Sequence, residues 1–285
     1  MRLMTYGHEG REHVGVRNGD RAISVASVDA ALPTTLVGLL ASGALGTLAA
    51  KLAEFGSEGV AIREVEYRPL IPNPGKIICI GRNYAAHAAE GGAETPTFPE
   101  VFYRGATSLV AHQGVIVRPK CSDKLDYEGE FVVVIGSSCR HATLENALDY
   151  VAGYTLFNDA TLRDYQRFSS QWTVGKNFDG TGAFGPELVT AEEMPPGLEG
   201  LTLTTRLNGE GMQEGHVDDL VFPVRKLIAI LSECMTLEPG DVVVTGTPAG
   251  VGYARTPPVF MKAGDVVEVD VPGLGKLINT VQDEV

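Results

Sequence analysis

Three acids and one histidine–glutamate pair stand out as the residues whose types and spacing could do chemistry. Tyr127-Glu128-Gly129-Glu130-Phe131 runs directly into Val132-Val133-Val134. Side chains two apart in a strand share a face, so Glu128 and Glu130 point the same way, on a face that turns apolar at Val132 and Val134. Two carboxylates at the head of such a face repel one another, and a divalent cation removes the conflict. An exposed edge with two solvated glutamates is the competing reading of any Glu-x-Glu taken alone. A third acid weighs against it. Asp159 ends the β-rich run Val151 to Asn158, on the expected face of Val151, Gly153, Thr155 and Phe157. An acid that finishes an apolar face needs a partner. Three oxygen donors without a His or Cys pair suit Mg2+ or Mn2+ rather than zinc, and leave positions for water and substrate.

The second feature is Asn83-Tyr84-Ala85-Ala86-His87-Ala88-Ala89-Glu90-Gly91-Gly92. Good helix formers followed by glycines predict a short helix with His87 and Glu90 in contact on one face. A carboxylate that orients an imidazole makes it a general base for water, and the glycine pair lets the helix act as a lid. A surface pair worth a few tenths of a kcal/mol is the plain alternative. His8, His112, His141 and His216 have no sequence-near partner in a catalytic arrangement and read as surface or core residues. Ser169-Ser170 lies outside any nucleophile-elbow pattern. The run Gly246-Thr247-Pro248-Ala249-Gly250-Val251-Gly252 lacks the Lys-Ser/Thr ending of a phosphate loop and reads as a tight wall around a small ligand.

Composition narrows the partners. The 285 residues carry a net charge of -13, which disfavours nucleic acid and anionic membrane surfaces. An anionic substrate therefore needs local cations or a metal. No apolar run is long enough to cross a bilayer, and the first ten residues lack a secretory pattern, so a cytoplasmic protein is expected. Cys79, Cys121, Cys139 and Cys234 lie far apart, which argues for buried, reduced thiols.

The elements that must position these groups divide at the proline-rich stretch Arg68 to Gly75, predicting a small unit over 1–70 and a larger one over 71–285. In the first, Val14 to Val28 reads as a hairpin around Asn18-Gly19-Asp20, and Thr34 to Phe55 reads as helical. In the second, strands are expected at Ile77 to Ile80, Val115 to Arg118, Phe131 to Ile135, Val151 to Asn158, Leu201 to Leu207, Val242 to Thr245 and Val266 to Val271. Helical stretches are expected around Leu144 to Tyr150 and Val224 to Cys234. Strand and helix do not alternate cleanly, so a doubly wound nucleotide-binding sheet is disfavoured. A mostly antiparallel β architecture with peripheral helices fits.

From about Lys76 onward the chain resembles the fumarylacetoacetate hydrolase family. The resemblance rests on Gly81-Arg82-Asn83-Tyr84 with His87 and Glu90, on Glu128-Gly129-Glu130, on Asp149-Tyr150-Val151-Ala152-Gly153-Tyr154 and Asn158-Asp159, and on Gly175-Lys176. It continues in Leu237-Glu238-Pro239-Gly240-Asp241 and Thr245-Gly246-Thr247-Pro248. It implies an α+β, mostly β fold: a β-roll catalytic domain with a small N-terminal α/β domain, usually a homodimer. It also implies that Glu128, Glu130 and Asp159 bind Mg2+ or Mn2+, that His87 and Glu90 activate water, and that Lys176 is the active-site lysine. Arg163, Gln166 and Thr247 match positions that hold a substrate carboxylate or keto oxygen. One departure is Phe102-Tyr103-Arg104-Gly105, where many relatives carry an aromatic-Leu-Lys-Pro run; another is the short Ser169-Ser170-Gln171-Trp172 segment. The expected reaction is hydrolysis of a carbon–carbon bond in an acylpyruvate-like dicarbonyl acid. Decarboxylation of oxaloacetate, isomerisation and dehydration on the same site are the enzymatic rivals, and a non-catalytic ligand-binding protein is the rival from another class.

Overall fold

Phe131-Val132-Val133-Val134-Ile135 and Val242-Val243-Val244 offer no polar face to water, so they belong inside a sheet covered on both sides. That is where a computed structural model of the chain, describing residues 1–56 and 58–285, puts them. The fold is α+β and mostly β. A 12-stranded sheet runs from Val60–Ala61 through Arg21–Ser24, Arg11–Asn18, Arg2–His8, Gly182–Thr190, Val151–Asp159, Gly129–Ile135, Val242–Val244 and Ile77–Gly81 to Glu100–Tyr103. Glu66–Tyr67 and Leu109–Ala111 join it off this path. A 5-stranded sheet, Glu210–His216, Thr202–Leu207, Val266–Val271, Gly275–Asp283 and Val115–Arg118, packs on one face.

Alternation along Gly129–Ile135 sorts the two cores. Phe131, Val133 and Ile135 pack with Leu203, Val267, Val269 and Leu277 of the smaller sheet. Val132 and Val134 point the opposite way, into a cluster with Leu36, Leu39, Leu40 and Leu48 of the N-terminal helices. Each such side chain contributes on the order of 1.5–3 kcal/mol by leaving water. Residues 1–70 share the large sheet, because Arg2 pairs with Val189 and Leu3 with Leu188. No helix among the described residues is long and apolar enough to cross a membrane.

Most expected elements are present, with instructive differences. The hairpin ends at Ser24 and continues as a single helical turn, Val25–Val28. The stretch from Thr34 to Phe55 is two helices, Leu36–Ala41 and Leu45–Glu54, because Gly43 takes a φ of 66 between them. Leu144 to Tyr150 holds only a 3-10 turn, Ala147–Tyr150. Cys121 and Cys234 are exposed free thiols, contrary to the expectation of four buried ones. The predicted phase of Val151–Asp159 also needs correction. Ile135 pairs with Val151 but Val134 with Gly153, so a bulge at Ala152 flips Val151 to the face opposite Phe157 and Asp159.

One histidine joins the two halves of the chain. His112 accepts a hydrogen bond from the Ile278 N–H at 3.1 Å and packs edge-on against Tyr67 at 4.6 Å. Burial, then the Arg17 charge, pushes its pKa from 6.5 down to about 4. Between these values the native protein binds fewer protons than the unfolded chain, so the His112 contribution is complete above pH 6.5 and is lost as pH falls through about 4. Its full size is on the order of 3 kcal/mol. Urea unfolding of wild type should therefore show a steeper loss of stability from pH 6.5 to 4 than His112→Gln. Equal slopes would remove His112 from this role.

Candidate active site

The acids meet because of strand register. Gly129 pairs with Asn158 and Glu130 with Phe157, which sets Glu128 opposite Asp159 at the open end of the ladder. The Asp159 N–H donates to the Glu128 carbonyl at 2.8 Å, and the Glu128 N–H donates to Asn158 Oδ1 at 2.9 Å. Opposed residues of an antiparallel pair share a face, and Glu130 is two residues on from Glu128. All three side chains therefore converge, with one oxygen of each within 4.8 Å of the others, and all three are buried.

Such a cluster is unstable by itself, and three cations answer it. Lys176 Nζ lies 2.6 Å from Glu128 Oε2 and 2.6 Å from Asp159 Oδ2. Arg163 Nη1 lies 2.7 Å from Glu128 Oε1, while its Nε donates to the buried Asp126 at 2.8 Å. Arg104, fully buried, pairs with Asp159 Oδ1 and donates to Thr181 at 2.7 Å. Burial by itself would raise the Glu128 pKa, but Lys176 and Arg163 override it and draw it down to about 2. Burial also opposes the charged form of Lys176, yet Asp159 and Glu128 hold its pKa above the ordinary value.

Glu130 differs. Its Oε2 accepts from the Gly246 N–H, and it has no cationic partner among the described residues. Burial first, then the charges of Asp159 and Glu128, push its carboxyl well above the ordinary range. A buried carboxylate that lines a cavity beside two others, without a cation of its own, is the place a hard divalent ion fits. Glu128, Glu130 and Asp159 are the residues that would hold it.

The predicted lid is the helix Ala85–Glu90. Asn83 fixes its entry. The amide donates to the carbonyls of Phe222 at 3.1 Å and Thr245 at 2.7 Å, and accepts from Phe222 N–H at 2.8 Å. His87 Nδ1 lies 2.8 Å from Glu90 Oε1, and Glu90 Oε2 accepts from the Gly250 N–H at 2.9 Å. With Nδ1 turned to the carboxylate, Nε2 is the nitrogen left for chemistry. Both the lid and the acids face one cavity of about 210 Å³, lined also by Lys176, Arg163, Gln166 and Thr247. That volume suits a small organic acid rather than a nucleotide.

The structure thus brings all nine sequence-derived site residues to a single place. Gln166 accepts from Arg163 Nη1 at 3.1 Å, and Arg163 Nη2 is buried without a protein partner among the described residues. Thr247 donates to the Gly129 carbonyl at 3.0 Å and accepts from Gln213 Nε2 at 2.8 Å. Three contributors escaped the sequence reading: Asp126, Gln213 and Tyr253. Arg104 and Trp172 were visible only in segments that depart from the family pattern. The glycine-rich run, expected to wall the ligand, gives only Thr247 to the cavity lining and serves chiefly as a carboxylate holder. Its N–H groups at Gly246, Gly250 and Gly252 reach Glu130, Glu90 and Asp126. A Cβ on Gly252 would lie 1.9 Å from the Val259 carbonyl, which explains the glycine there.

Residues 76–282 match the fumarylacetoacetate (FAA) hydrolase C-terminal family. The chain belongs to this family. Human mitochondrial oxaloacetate tautomerase FAHD2A is 37% identical over 288 residues, covering 99% of this chain and 91% of that protein. A fumarylacetoacetate hydrolase from Exiguobacterium antarcticum superposes with a TM-score of 0.84 at 33% identity over 100% of both chains. Maleylpyruvate hydrolase from Sphingobium sp. SYK-6, solved with manganese(II) and pyruvate, gives 0.83 at 26% identity over 100% of both. Family members include hydrolases, isomerases and a tautomerase, and the shared fold carries an acidic cluster able to hold an ion in this chain.

If Glu130 is a ligand, Glu130→Gln weakens Mn2+ binding by at least about 10- to 100-fold in calorimetry, the loss typical of damage to a metal's support. Unchanged affinity in a folded variant would exclude it.

Proposed function

We propose that the protein is a Mg2+- or Mn2+-dependent hydrolase that cleaves the carbon–carbon bond between the two carbonyl groups of an acylpyruvate, releasing a carboxylic acid and pyruvate. The observation that carries the reading is a buried imidazole, oriented by a partly buried carboxylate, facing three buried carboxylates across one small cavity. Binding alone needs the acids but has no use for an oriented base. The maleylpyruvate hydrolase with bound manganese and pyruvate supports both the ion and the product class.

A divalent ion held by Glu128, Glu130 and Asp159 would supply Lewis-acid polarisation of the substrate's neighbouring oxygens. The chain's own residues do the rest. Glu90 accepts a hydrogen bond from the His87 Nδ1–H, which keeps Nε2 free to take a proton from water. The water oxygen bonds to the acyl carbon. The bond to the pyruvyl methylene then breaks, and its electron pair leaves with the pyruvyl fragment. The protonated His87 returns its proton to that fragment. Lys176 supplies positive charge beside the developing anion, and the Arg163 guanidinium, which also lines the cavity, supplies the charge that holds the carboxylate end. The lid helix excludes bulk water.

A second reading has a specific observation behind it, the 37% identity to an oxaloacetate tautomerase. There His87 Nε2 would move a proton between carbon and solvent without delivering water to a carbonyl. Product analysis separates the two: acid plus pyruvate for hydrolysis, unchanged carbon count for tautomerisation, and CO2 plus pyruvate for decarboxylation.

With acylpyruvate and saturating Mn2+, His87→Ala should lose about 10²- to 10⁴-fold in kcat while keeping Mn2+ affinity, whereas Glu128→Ala loses both. Full activity and normal metal affinity in Glu128→Ala would discard the assignment.

A further inference from the structure

Four cationic side chains line the cavity, and three of them already have acids. Arg82 pairs with Glu100, Arg163 with Asp126 and Glu128, and Lys176 with Glu128 and Asp159. Arg167 has no acidic partner among the described residues. It is exposed at the mouth, with its guanidinium 4.6 Å over the Tyr253 ring.

Tyr253 is a fixed platform. Its N–H donates to Asp126 Oδ2 at 3.0 Å, and Arg163 lies over the same ring at 4.5 Å. Its hydroxyl sits 2.7 Å from where a Cβ on Gly91 would be, so the end of the lid closes against it. A guanidinium stacked flat on an aromatic ring keeps its N–H edge free, and that edge matches a carboxylate bidentately.

Arg163 and Arg167 occupy one short helix, Arg163–Arg167. They are four residues apart, about 6 Å along a helical axis. Arg163 reaches the acids at the floor, and Arg167 stands one turn further out. A ligand gripped at the floor by its pyruvyl end thus places the end of a short acyl chain near Arg167. In a chain of net charge -13, an unpaired arginine there offsets the repulsion that a second substrate charge would otherwise meet.

We propose that Arg167, stacked on Tyr253 at the cavity mouth, recognises a second carboxylate at the far end of the substrate, so that the enzyme prefers acylpyruvates whose acyl chain ends in a carboxylate. This rests on the acylpyruvate reading and narrows its substrate class. Arg167 is a specificity determinant that leaves the chemistry to His87 and the acids.

The test compares fumarylpyruvate with its methyl ester at the acyl end, using Mn2+-loaded wild type, Arg167→Met and Arg167→Lys. The acid-over-ester ratio of kcat/KM should fall about 10- to 100-fold in Arg167→Met, the range of one charge-assisted hydrogen bond. The change should appear in KM for the acid, and Arg167→Lys should restore part of it. A wild type without preference, or the same ratio in wild type and Arg167→Met, overturns the proposal while leaving hydrolysis intact. If wild type cleaves neither compound, the hydrolase reading falls instead. Calorimetric binding of the same two compounds then decides Arg167 by the same ratio.

Discussion

Carboxylates cannot be buried side by side unless positive charge lies between them, and this constraint organises the molecule. Asp126, Glu128, Glu130 and Asp159 stand within one region against Arg104, Arg163 and Lys176. Four acids against three bases leave one carboxyl without a cation of its own, that of Glu130, which burial and its acidic neighbours push toward the neutral form. A divalent ion held by the ionised acids would carry the cluster one charge past neutrality. Such an ion would settle the protein's own repulsion and also prepare the cavity for an anionic ligand, in a chain whose overall field would repel one.

The fold makes that concentration of charge possible by fixing it with backbone. Register along Gly129–Ile135 and Val151–Asp159 opposes Glu128 to Asp159, and both strands are buried on both faces. The glycine-rich run after Val242–Val244 delivers N–H groups to three further carboxylate contacts. Rigid strands therefore carry the three acids proposed to hold the ion. The proposed base sits on a short helix between Asn83 and Gly91-Gly92. The division suits a site in which one half must not move and the other must admit substrate.

How much of this was legible depended on the range of the interaction. Glu128 with Glu130, and His87 with Glu90, are local pairs, and strand and helix periods suffice to put them on common faces. Strands rich in Val and Ile were readable for the same reason. Asp159 reached the right face although the predicted phase failed at Ala152, since a bulge leaves no trace in composition. Gly182–Thr190, a fully buried strand, was missed because Gly, Ala and Pro dilute its pattern. Glu210–His216 was missed because its polar residues hide the alternation. Asp126, Gln213 and Tyr253 act through contacts between distant segments, which spacing cannot register. The family resemblance supplied Lys176, Arg163, Gln166 and Thr247, none of which the local pattern singles out.

The most direct test of the central claim is a crystal structure of the protein soaked in Mn2+, read by anomalous scattering. The account requires one strong peak with oxygens of Glu128, Glu130 and Asp159 at coordination distance, about 2.0–2.6 Å, and Lys176 drawn off the shared carboxylate oxygens. No peak at saturating Mn2+, or a peak bound by other residues with Lys176 still bridging Glu128 and Asp159, would contradict it.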